Sequence, residues 1–337
     1  MLGVLLVFGV GSFGATWADD ATCRFVKMET VPITFDGAQP MVEGKINGKS
    51  MVMRLGSGNP FSVLMAPVAR AMKLPMATAD AISQAGTNGS GSVYVADIES
   101  LSVGSINGSA DQLAVLAPPT LPTSSFDADV GSDFLFQSDL EFNFPAREVY
   151  FFRPANCNTA FLGYWDSDAS VVPFEGVSST DPRPAFTVQV NGHDVLAIFS
   201  SGEEASRIDL TTAASLGVTP DSPGVTRIEQ VDEGTRNHVD KWIAPFDTIT
   251  IGSERLRHVK IVMTDFLGVL RHHTFLRDAR LLDQPKLILG ADFLKAHRVL
   301  VAVSQKRLYF SYVGGPIFTT TLSQPKTNAG APAKGSD

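Results

Sequence analysis

Alternating apolar and polar residues run through much of this chain in short stretches that end at asparagine, glycine or proline. Residues 42–48 (Val-Glu-Gly-Lys-Ile-Asn-Gly) lead into a second such run at 49–55, and residues 186–192 (Phe-Thr-Val-Gln-Val-Asn-Gly) lead into 193–199. Asn-Gly between two runs of this kind is typical of a β-hairpin, because both turn residues accept a positive φ. The pattern therefore predicts two similar hairpins far apart in the chain.

These hairpins begin an internal repeat. In each copy a three-residue turn ending in glycine starts nine residues after the asparagine (56 − 47 = 9 and 200 − 191 = 9). The first triplet is Gly56, Ser57 and Gly58, and the second triplet is Ser200, Ser201 and Gly202. Later, the pattern Gly-x-Asp-Phe-Leu recurs within residues 129–135 (Asp-Val-Gly-Ser-Asp-Phe-Leu) and 288–294 (Ile-Leu-Gly-Ala-Asp-Phe-Leu). Two copies are too few for a solenoid and predict two β-rich lobes related by a pseudo-two-fold axis.

The rest of the pattern predicts the helices of each copy and the bounds of two lobes and a tail. It predicts one helix in each copy, over 66–74 and over 210–216, the second stopped by Gly217. Residues 141–152 alternate around Pro145 and predict a further hairpin. We expect lobe 1 over 24–155, lobe 2 over 165–315 and a disordered tail over 316–337, where apolar periodicity is lost.

The amino terminus predicts export. Residues 1–18 contain no charged side chain, end in small residues and precede two aspartates, which is typical of a signal peptide cleaved near Ala18. The protein would then be periplasmic or secreted; the alternative is an uncleaved leader that anchors it in the membrane. No later stretch has transmembrane length, so no stable membrane insertion is expected after cleavage. In an oxidising compartment, Cys23 and Cys157 are expected to form a disulfide.

The composition argues against two classes of protein, nucleic-acid-binding proteins and cysteine-rich zinc modules. The 337 residues are 44% hydrophobic, and Lys+Arg 27 against Asp+Glu 35 gives a net charge of −8, which argues against nucleic-acid binding. The chain has 29 Gly and 20 Pro, which favour many short strands and turns over a helical bundle. With only 2 Cys, a cysteine-rich zinc module is excluded.

The order of hairpin, glycine-ending triplet, glycine-rich hairpin at 85–92 and apolar-apolar-Gly before Asp-Phe-Leu resembles the retropepsin-like aspartic peptidases. The resemblance is to the bacterial exported type with two such domains in tandem, and it covers residues 24–315. It implies an all-β fold with few short helices, in which two closed β-barrel lobes form a pepsin-like bilobal arrangement. It also implies a substrate cleft between the lobes, under a flap that would contain Gly86, Gly89 and Gly91.

The chain departs from that family at the catalytic positions. There the triplet reads Asp-Thr-Gly or Asp-Ser-Gly, and the two aspartates share one proton, so that one activates water while the other donates to the scissile carbonyl. Here the two positions are Gly56 and Ser200. The accessory residues are retained, namely Ser57, Gly58, Ser201 and Gly202 of the triplets and the backing glycines Gly131 and Gly290.

Other acids are weak substitutes. Glu203 and Glu204 directly follow the second triplet, but nothing adjacent to the first triplet offers a partner acid. Asp129, Asp133 and Asp292 lie beside the backing glycines, and we interpret them as structural.

Three functional hypotheses follow. The first is an exported pseudo-peptidase that binds an extended peptide or a protein partner in the interlobe cleft. The second is an active aspartic-type endopeptidase with an unorthodox arrangement of acids, and the third is a structural or assembly protein with a vestigial cleft. None of them requires a cofactor or a metal, and the internal pseudo-dimer favours a monomer. All three expect positions 56 and 200 to be close together.

Overall fold

The structure is a computed structural model that describes residues 22–78, 85–86, 89–90, 92–117, 125–176, 181–228, 240–267 and 284–318. The predicted leader, Gly91 of the predicted flap and the tail beyond residue 318 lie outside these ranges. The described chain is built from short strands with a few short helices, as the sequence predicts.

The first half of the chain contains fifteen of the strands that the structure describes. In chain order they are β1 Arg24–Pro32, β2 Thr34–Asp36, β3 Gln39–Ile46, β4 Lys49–Leu55, β5 Val63–Met65, β6 Met76–Thr78, β7 Ala85–Gly86, β8 Gly89–Ser90, β9 Ser92–Asp97, β10 Leu101–Val103, β11 Ile106–Asn107, β12 Gln112–Ala117, β13 Ala128–Val130, β14 Asp139–Asn143 and β15 Glu148–Ala155. The helices are α1 Ala66–Ala71, α2 Ser132–Leu135 and a 3₁₀ turn at Phe144–Ala146.

The second half repeats the same order of elements. Its strands are β16 Ser170–Gly176, β17 Pro184–Val190, β18 His193–Phe199, β19 Arg207–Asp209, β20 Thr226–Ile228, β21 Lys241–Ile251, β22 Glu254–Thr264, β23 Leu287–Leu289, β24 His297–Ala302 and β25 Arg307–Tyr312. Its described helices are α3 Leu210–Ser215 and α4 Ala291–Leu294.

Both predicted Asn-Gly hairpins are confirmed. β3 pairs with β4 up to Ile46 opposite Lys49, which leaves Asn47 and Gly48 as a two-residue turn with φ of 48° and 75°. The β17–β18 hairpin closes in the same way, with Asn191 at 51° and Gly192 at 81°. Positive φ at both positions is the requirement of the tight turn that matches the twist of the two strands.

Lobe 2 is a closed six-stranded barrel. Its strands follow the circuit β17-β18-β23-β19-β22-β21, and β21 pairs back onto β17. The β18–β23 and β19–β22 pairs are parallel, whereas the other pairs are antiparallel. Closure leaves the barrel with no free edge along this circuit.

Lobe 1 repeats this circuit with one strand divided. β3, β4, β13, β5, β12 and β9 follow one another, and β10, which continues β9 along the chain, pairs back onto β3. The parallel pairs β4–β13 and β5–β12 match those of lobe 2. The two lobes therefore share one topology, as the internal repeat predicts.

A six-stranded antiparallel sheet joins the lobes. Its order is β1-β15-β14-β24-β25-β16, so that equivalent hairpins from the two halves meet at β14 and β24. Phe142 lies opposite Val299 at this junction, and both side chains are buried. The interlobe sheet thus carries the pseudo-two-fold relation, and it confirms the predicted hairpin around Pro145.

Some predicted boundaries change. α1 ends at Ala71 rather than at residue 74, because Lys73 takes a left-handed conformation with φ of 57°. α3 ends at Ser215, one residue before the predicted end, and Gly217 follows with φ of 81°. Phe318 is buried with its ring 6.2 Å from that of Phe293, so packing continues past the expected start of the tail at 316.

The predicted disulfide is present. Cys23 and Cys157 are bonded, and they lie beside the Arg24–Ala155 pair at which β1 and β15 begin their ladder. The bond closes a loop of 134 residues and fastens an outer strand of the interlobe sheet. Within the described residues, no helix is long and apolar enough to cross a lipid bilayer.

Removal of the disulfide should destabilise the protein. Because the bond restricts the unfolded chain, Cys23→Ser with Cys157→Ser should lower the free energy of unfolding by about 2–5 kcal/mol. Urea denaturation followed by circular dichroism measures this change. A reductant should destabilise the wild type by a similar amount and leave the double variant unchanged, and equal midpoints for the oxidised wild type and the variant would contradict the prediction.

Candidate functional site

The two triplets meet at the junction of the lobes. A Cβ placed on Gly58 would lie 3.2 Å from the Cα of Ser200 and would overlap the Ser200 hydroxyl. A Cβ placed on Gly202 would lie 3.6 Å from the Cα of Gly56. Gly58 therefore packs against Ser200 and Gly202 packs against Gly56, so the first residue of each triplet lies beside the triplet of the other lobe, as expected.

Reciprocal hydrogen bonds join the triplets. The Ser57 hydroxyl accepts from the Ser201 amide at 3.0 Å and donates to the carbonyl of Phe199 at 3.2 Å. The Ser201 hydroxyl accepts from the Ser57 amide at 3.1 Å and donates to the carbonyl of Leu55 at 2.6 Å. Ser57 and Ser201 are fully buried, so these four bonds are shielded from water and fix the two loops against each other.

The loop behind the first triplet is held by the half-buried carboxyl group of Asp133. Asp133 accepts from the amide of Ser62 at 2.8 Å and from its hydroxyl at 2.7 Å. The Ser62 hydroxyl in turn accepts from the amide of Gly131 at 2.9 Å. Burial raises the pKa of Asp133, against the opposing effect of these hydrogen bonds.

Lobe 2 repeats this arrangement. Asp292 accepts from the amide of Ser206 at 2.9 Å and from its hydroxyl at 2.7 Å, and that hydroxyl accepts from the amide of Gly290 at 2.9 Å. Burial raises the pKa of Asp292 to about 6, although the bonds from Ser206 act in the opposite direction. Asp133 and Asp292 thus hold the backing loops of their own lobes through Ser62 and Ser206.

Close backbone contacts explain the two backing glycines. A Cβ on Gly131 would lie 2.5 Å from the carbonyl carbon of Phe61, and one on Gly290 would lie 2.8 Å from that of Ala205. Backbone atoms cannot rotate aside as side chains do. Both positions therefore require glycine for packing, whether or not the protein has any catalytic activity.

The space beside Gly56 is already occupied. A Cβ at Gly56 would overlap Oδ1 of Asp129 and would lie 2.8 Å from its carboxyl carbon. Asp129 stands on β13 opposite Arg54 of the parallel strand β4, and its side chain is only 6% exposed. A carboxylate from the neighbouring strand thus fills the place where the side chain of residue 56 would begin.

Two groups hold this carboxylate. Arg54 forms an ion pair with Oδ2 of Asp129, and the side-chain amide of Asn59 donates to the same oxygen at 2.6 Å. Burial alone would lower the pKa of Arg54, but attraction by Asp129, and to a lesser degree by Glu203, raises it overall. The ring of Phe126 lies 4.6 Å from the guanidinium of Arg54 and adds a cation–π contact.

Lobe 2 lacks the equivalent pair. In the matching β18–β23 register, Ile198 stands opposite Ile288, and both side chains are buried in an apolar cluster. Lobe 2 instead places Arg207 on β19, where its guanidinium contacts Glu203 at 2.7 Å and lies 5.3 Å from the ring centre of Phe266. The strand pairs beneath the two triplets, β4–β13 and β18–β23, therefore share one backbone arrangement but differ in charge, because only the lobe 1 pair carries an ion pair.

The two glutamates proposed as substitute acids lie on the loop that follows the second triplet. The carboxylate of Glu203 is paired with Arg207, and the Glu203 carbonyl accepts from the amide of Ala291 at 2.8 Å. The Glu204 carbonyl accepts from the amide of Asp292 at 3.2 Å. Their main-chain bonds tie this loop to α4, and neither side chain is brought together with Asp129 as a carboxyl pair by any described contact.

The predicted flap is described only in part. β7 pairs with β8 through Gly86 opposite Gly89, which places both predicted glycines in a hairpin, while Gly91 lies outside the described residues. This hairpin lies between β6 and β9, which pair with each other, and β20 pairs with β21 at the equivalent place in lobe 2. β6 and β20 each form the last strand of their sheet.

Sequence reasoning missed Asp129 as part of the site. The alternation along β13 contains the necessary information, because Ala128 and Val130 face the apolar core and the residue between them must face the opposite side. The sequence does not reveal the register of β4 and β13, which pairs residue 129 with residue 54 across a separation of 75 residues. That register places the carboxylate beside Gly56.

The described residues offer no metal centre: no group of three or more His, Cys, Asp or Glu side chains among them is placed to hold an ion. Two surface hollows of about 490 and 470 Å³ lie away from the triplets. The larger lies along the ends of β22 and β25, and the smaller lies across β16, β17 and β18.

Comparison with known proteins identifies a similarity in lobe 2. Residues 186–293 match the aspartyl protease family model, a span that includes the second triplet and Gly290. No curated protein sequence matches the chain. Among solved structures, the aspartic proteinase from Irpex lacteus is similar, with a TM-score of 0.47 and 12% identity over 87% of this chain and 98% of the other.

The raised pKa of Asp292 predicts a pH-dependent stability. This carboxyl group keeps its proton in the folded state up to a pH of about 6, whereas in the unfolded chain it loses the proton near its ordinary value of 3.8. Its contribution to the free energy of unfolding is therefore greatest below the unfolded pKa and falls as the pH rises to the folded pKa, by up to about 3 kcal/mol.

Urea titrations across this pH interval measure the effect. Asp292→Asn should remove most of this fall in stability, and Asp111→Asn, a change at an exposed aspartate, should leave it in place. An unchanged pH profile in Asp292→Asn would contradict the prediction.

Proposed function

We propose that this protein is an aspartyl-protease-like protein that does not hydrolyse peptide bonds and instead binds an extended peptide or protein segment between its lobes. The observation that carries this proposal is the Arg54–Asp129 ion pair in the space beside Gly56. An acid dyad needs two carboxyl groups that share a proton. Here the lobe 1 carboxylate is engaged by Arg54 and Asn59, and the opposing position is the hydroxyl-bearing Ser200.

Three other acids near the triplets are held by partners of their own. Glu203 is held by Arg207, and Asp133 and Asp292 are bonded to the serines of the backing loops. A water molecule near Gly56 would meet a neutralised ion pair in place of an acid and a base. General acid–base catalysis depends on correctly placed groups that are available to exchange protons, and that condition is not met here.

Two features support peptide binding. The reciprocal Ser57–Ser201 bonds keep the triplets in place without catalytic carboxylates, so the interlobe surface is preserved. Among the described residues, β6 and β20 are the last strands of their sheets, one in each lobe, and a strand edge can pair with the main chain of an extended peptide.

We further propose that the protein acts outside the reducing cytosol. The Cys23–Cys157 disulfide supports an oxidising compartment. Together with the predicted leader, it favours a periplasmic or secreted protein that works as a monomer, since each lobe supplies the other with its pseudo-symmetric partner.

The hydrolytic test starts with the wild type. Purified protein should not cleave an unfolded polypeptide between acidic and neutral pH, and binding of fluorescent peptides should be measurable under the same conditions. Cleavage that is lost in Asp129→Asn or Glu203→Gln would favour an unorthodox peptidase. If the protein neither cleaves nor binds any peptide, a vestigial cleft is favoured. Cleavage of this kind, or the absence of both cleavage and binding, would overturn the proposal.

Rebuilding the dyad tests why the wild type is inactive. Gly56→Asp alone should fail, because the new side chain would overlap Asp129. The variant is designed from lobe 2. Arg54→Ile and Asp129→Ile copy Ile198 and Ile288, the residues at the matching positions of lobe 2. Gly56→Asp and Ser200→Asp then add the two acids. We expect this variant to cleave unfolded polypeptide at acidic pH.

The matched control carries asparagine at positions 56 and 200 in the same Ile background, and it should remain inactive. Circular dichroism establishes that both variants are folded. A folded four-substitution variant with no activity above the control would show that the Arg54–Asp129 pair is not what prevents hydrolysis.

A further inference from the structure

A hairpin of lobe 1 contacts lobe 2 beside the second triplet. Gln39 begins β3, directly after a turn in which Gly37 has a φ of 61°. Its side-chain amide donates to the main-chain carbonyl of Gly202 at 3.4 Å, across 163 residues of the chain. On β2 of the same hairpin, the ring centre of Phe35 lies 4.8 Å from Nζ of Lys295, the residue that follows α4. The β2–β3 hairpin therefore contacts lobe 2 at two points.

The Gly202 carbonyl is a hydrogen-bond acceptor at the junction of the lobes. Gly202 ends the second triplet, packs against Gly56 and is partly exposed. Among the residues that the structure describes, no main-chain amide donates to this carbonyl, and its one hydrogen bond comes from Gln39. At 3.4 Å this bond is longer than the usual range of about 2.7–3.2 Å, so it is a weak bond that a better-placed donor would displace.

Lobe 2 has no matching contact within the described ranges. The offset that relates the two triplets also relates position 39 to Arg183 (200 − 56 = 144 and 183 − 39 = 144). The guanidinium of Arg183 donates to Asp181 at 2.8 and 2.6 Å and to Gln284 at 3.2 Å, and both partners belong to lobe 2. The repeated fold therefore does not by itself require a side chain that crosses from one lobe to the triplet of the other.

The carboxamide of glutamine has the same groups as a peptide bond, an N–H that donates and a carbonyl oxygen that accepts. An extended peptide binds through hydrogen bonds between its main chain and main-chain groups of the protein. The Gly202 carbonyl is such a group beside the contact between the triplets, and the N–H of Gln39 already lies on it. The side chain thus occupies an acceptor that the main chain of a bound peptide would otherwise use.

We propose that Gln39 makes an autoinhibitory contact: its side chain covers the Gly202 carbonyl in the free protein and is displaced by the main chain of a bound peptide. This contact rests on the proposed peptide-binding function. Only the protein molecules in which Gln39 has released the carbonyl are competent to use it, and the apparent affinity for a peptide is reduced by that fraction. The reduction applies to any extended peptide, because the competition concerns main-chain groups.

Removal of the donor tests this role. Gln39→Leu keeps a side chain of similar size without a donor, and Gln39→Glu keeps the length but presents a carboxylate, which accepts and does not donate. The probe is a nine-residue peptide of alanine, leucine and threonine with capped ends and a fluorescent label. Fluorescence anisotropy should show that both variants bind it about two- to tenfold more tightly than the wild type, the range that one neutral hydrogen bond provides.

Gln189→Leu is the matched control. Gln189 lies on the exposed face of β17, and its side-chain amide donates to Asp194 at 3.2 Å, within lobe 2. This variant should bind the peptide as the wild type does. Circular dichroism establishes that all three variants are folded.

A second measurement follows Gln39 in the wild type itself. In ¹⁵N-labelled protein, the side-chain NH₂ signals of Gln39 and Gln189 are assigned by their loss in the two leucine variants. A saturating concentration of the peptide should shift the Gln39 signal and leave the Gln189 signal in place.

The outcomes separate this proposal from the one on which it rests. Equal dissociation constants for the wild type and both Gln39 variants, or an unmoved Gln39 signal in the peptide complex, would retain peptide binding and overturn the autoinhibitory contact. Weaker binding by the Gln39 variants would overturn it as well, since Gln39 would then hold the peptide. Absence of binding by the wild type and by both Gln39 variants would overturn both proposals.

Discussion

The candidate site depends on the reciprocal hydrogen bonds between Ser57 and Ser201. Each serine satisfies main-chain groups of the other lobe, so neither triplet is complete without its partner. Loss of either hydroxyl would leave buried main-chain groups unpaired, at a cost comparable with a large part of the stability margin of a protein. The four bonds use only the serines and main-chain groups, so they hold the two loops together without any contribution from the residues at positions 56 and 200.

The backbone of the site follows the pseudo-two-fold axis, but its chemistry does not. In lobe 1, the residues paired across the two parallel strands are Arg54 and Asp129; in lobe 2, they are Ile198 and Ile288. The carboxylate of Asp129 occupies the space that Gly56 leaves, and Arg54 and Asn59 hold it there. The ion pair therefore lies between the two parallel strands of lobe 1 at the place where lobe 2 has two apolar side chains.

Much of the fold could be predicted from local sequence. The Asn-Gly turns, the repeated triplets and the backing glycines each follow from a requirement of the backbone that one short motif expresses. Cys23 and Cys157 could be paired because the chain offers no other cysteine. The left-handed conformation of Lys73, which ends α1 early, and the burial of Phe318 against Phe293 depend on tertiary packing, and no local motif indicates them.

The sequence predicts that the two triplets come together, but it does not predict which side chain fills the space beside Gly56. The sequence shows glycine at position 56 and serine at position 200, yet it does not show that residue 129 is in register with residue 54 and reaches the space beside residue 56. Asp129 appeared to be one of three equivalent acids near the backing glycines. Asp133 and Asp292 are such acids, whereas Asp129 has no acidic counterpart in lobe 2, and its role depends on the parallel pairing of β4 and β13.

The most direct test of this account is a double-mutant cycle between Gly56→Ala and Asp129→Ala, measured as free energies of unfolding in urea. If the carboxylate fills the space beside Gly56, the alanine methyl should cost about 1–3 kcal/mol in the wild type and little in the Asp129→Ala background. The cost of leaving Arg54 unpaired cancels in the cycle. An equal cost of Gly56→Ala in both backgrounds would show that Asp129 does not occupy that space, and it would contradict the account.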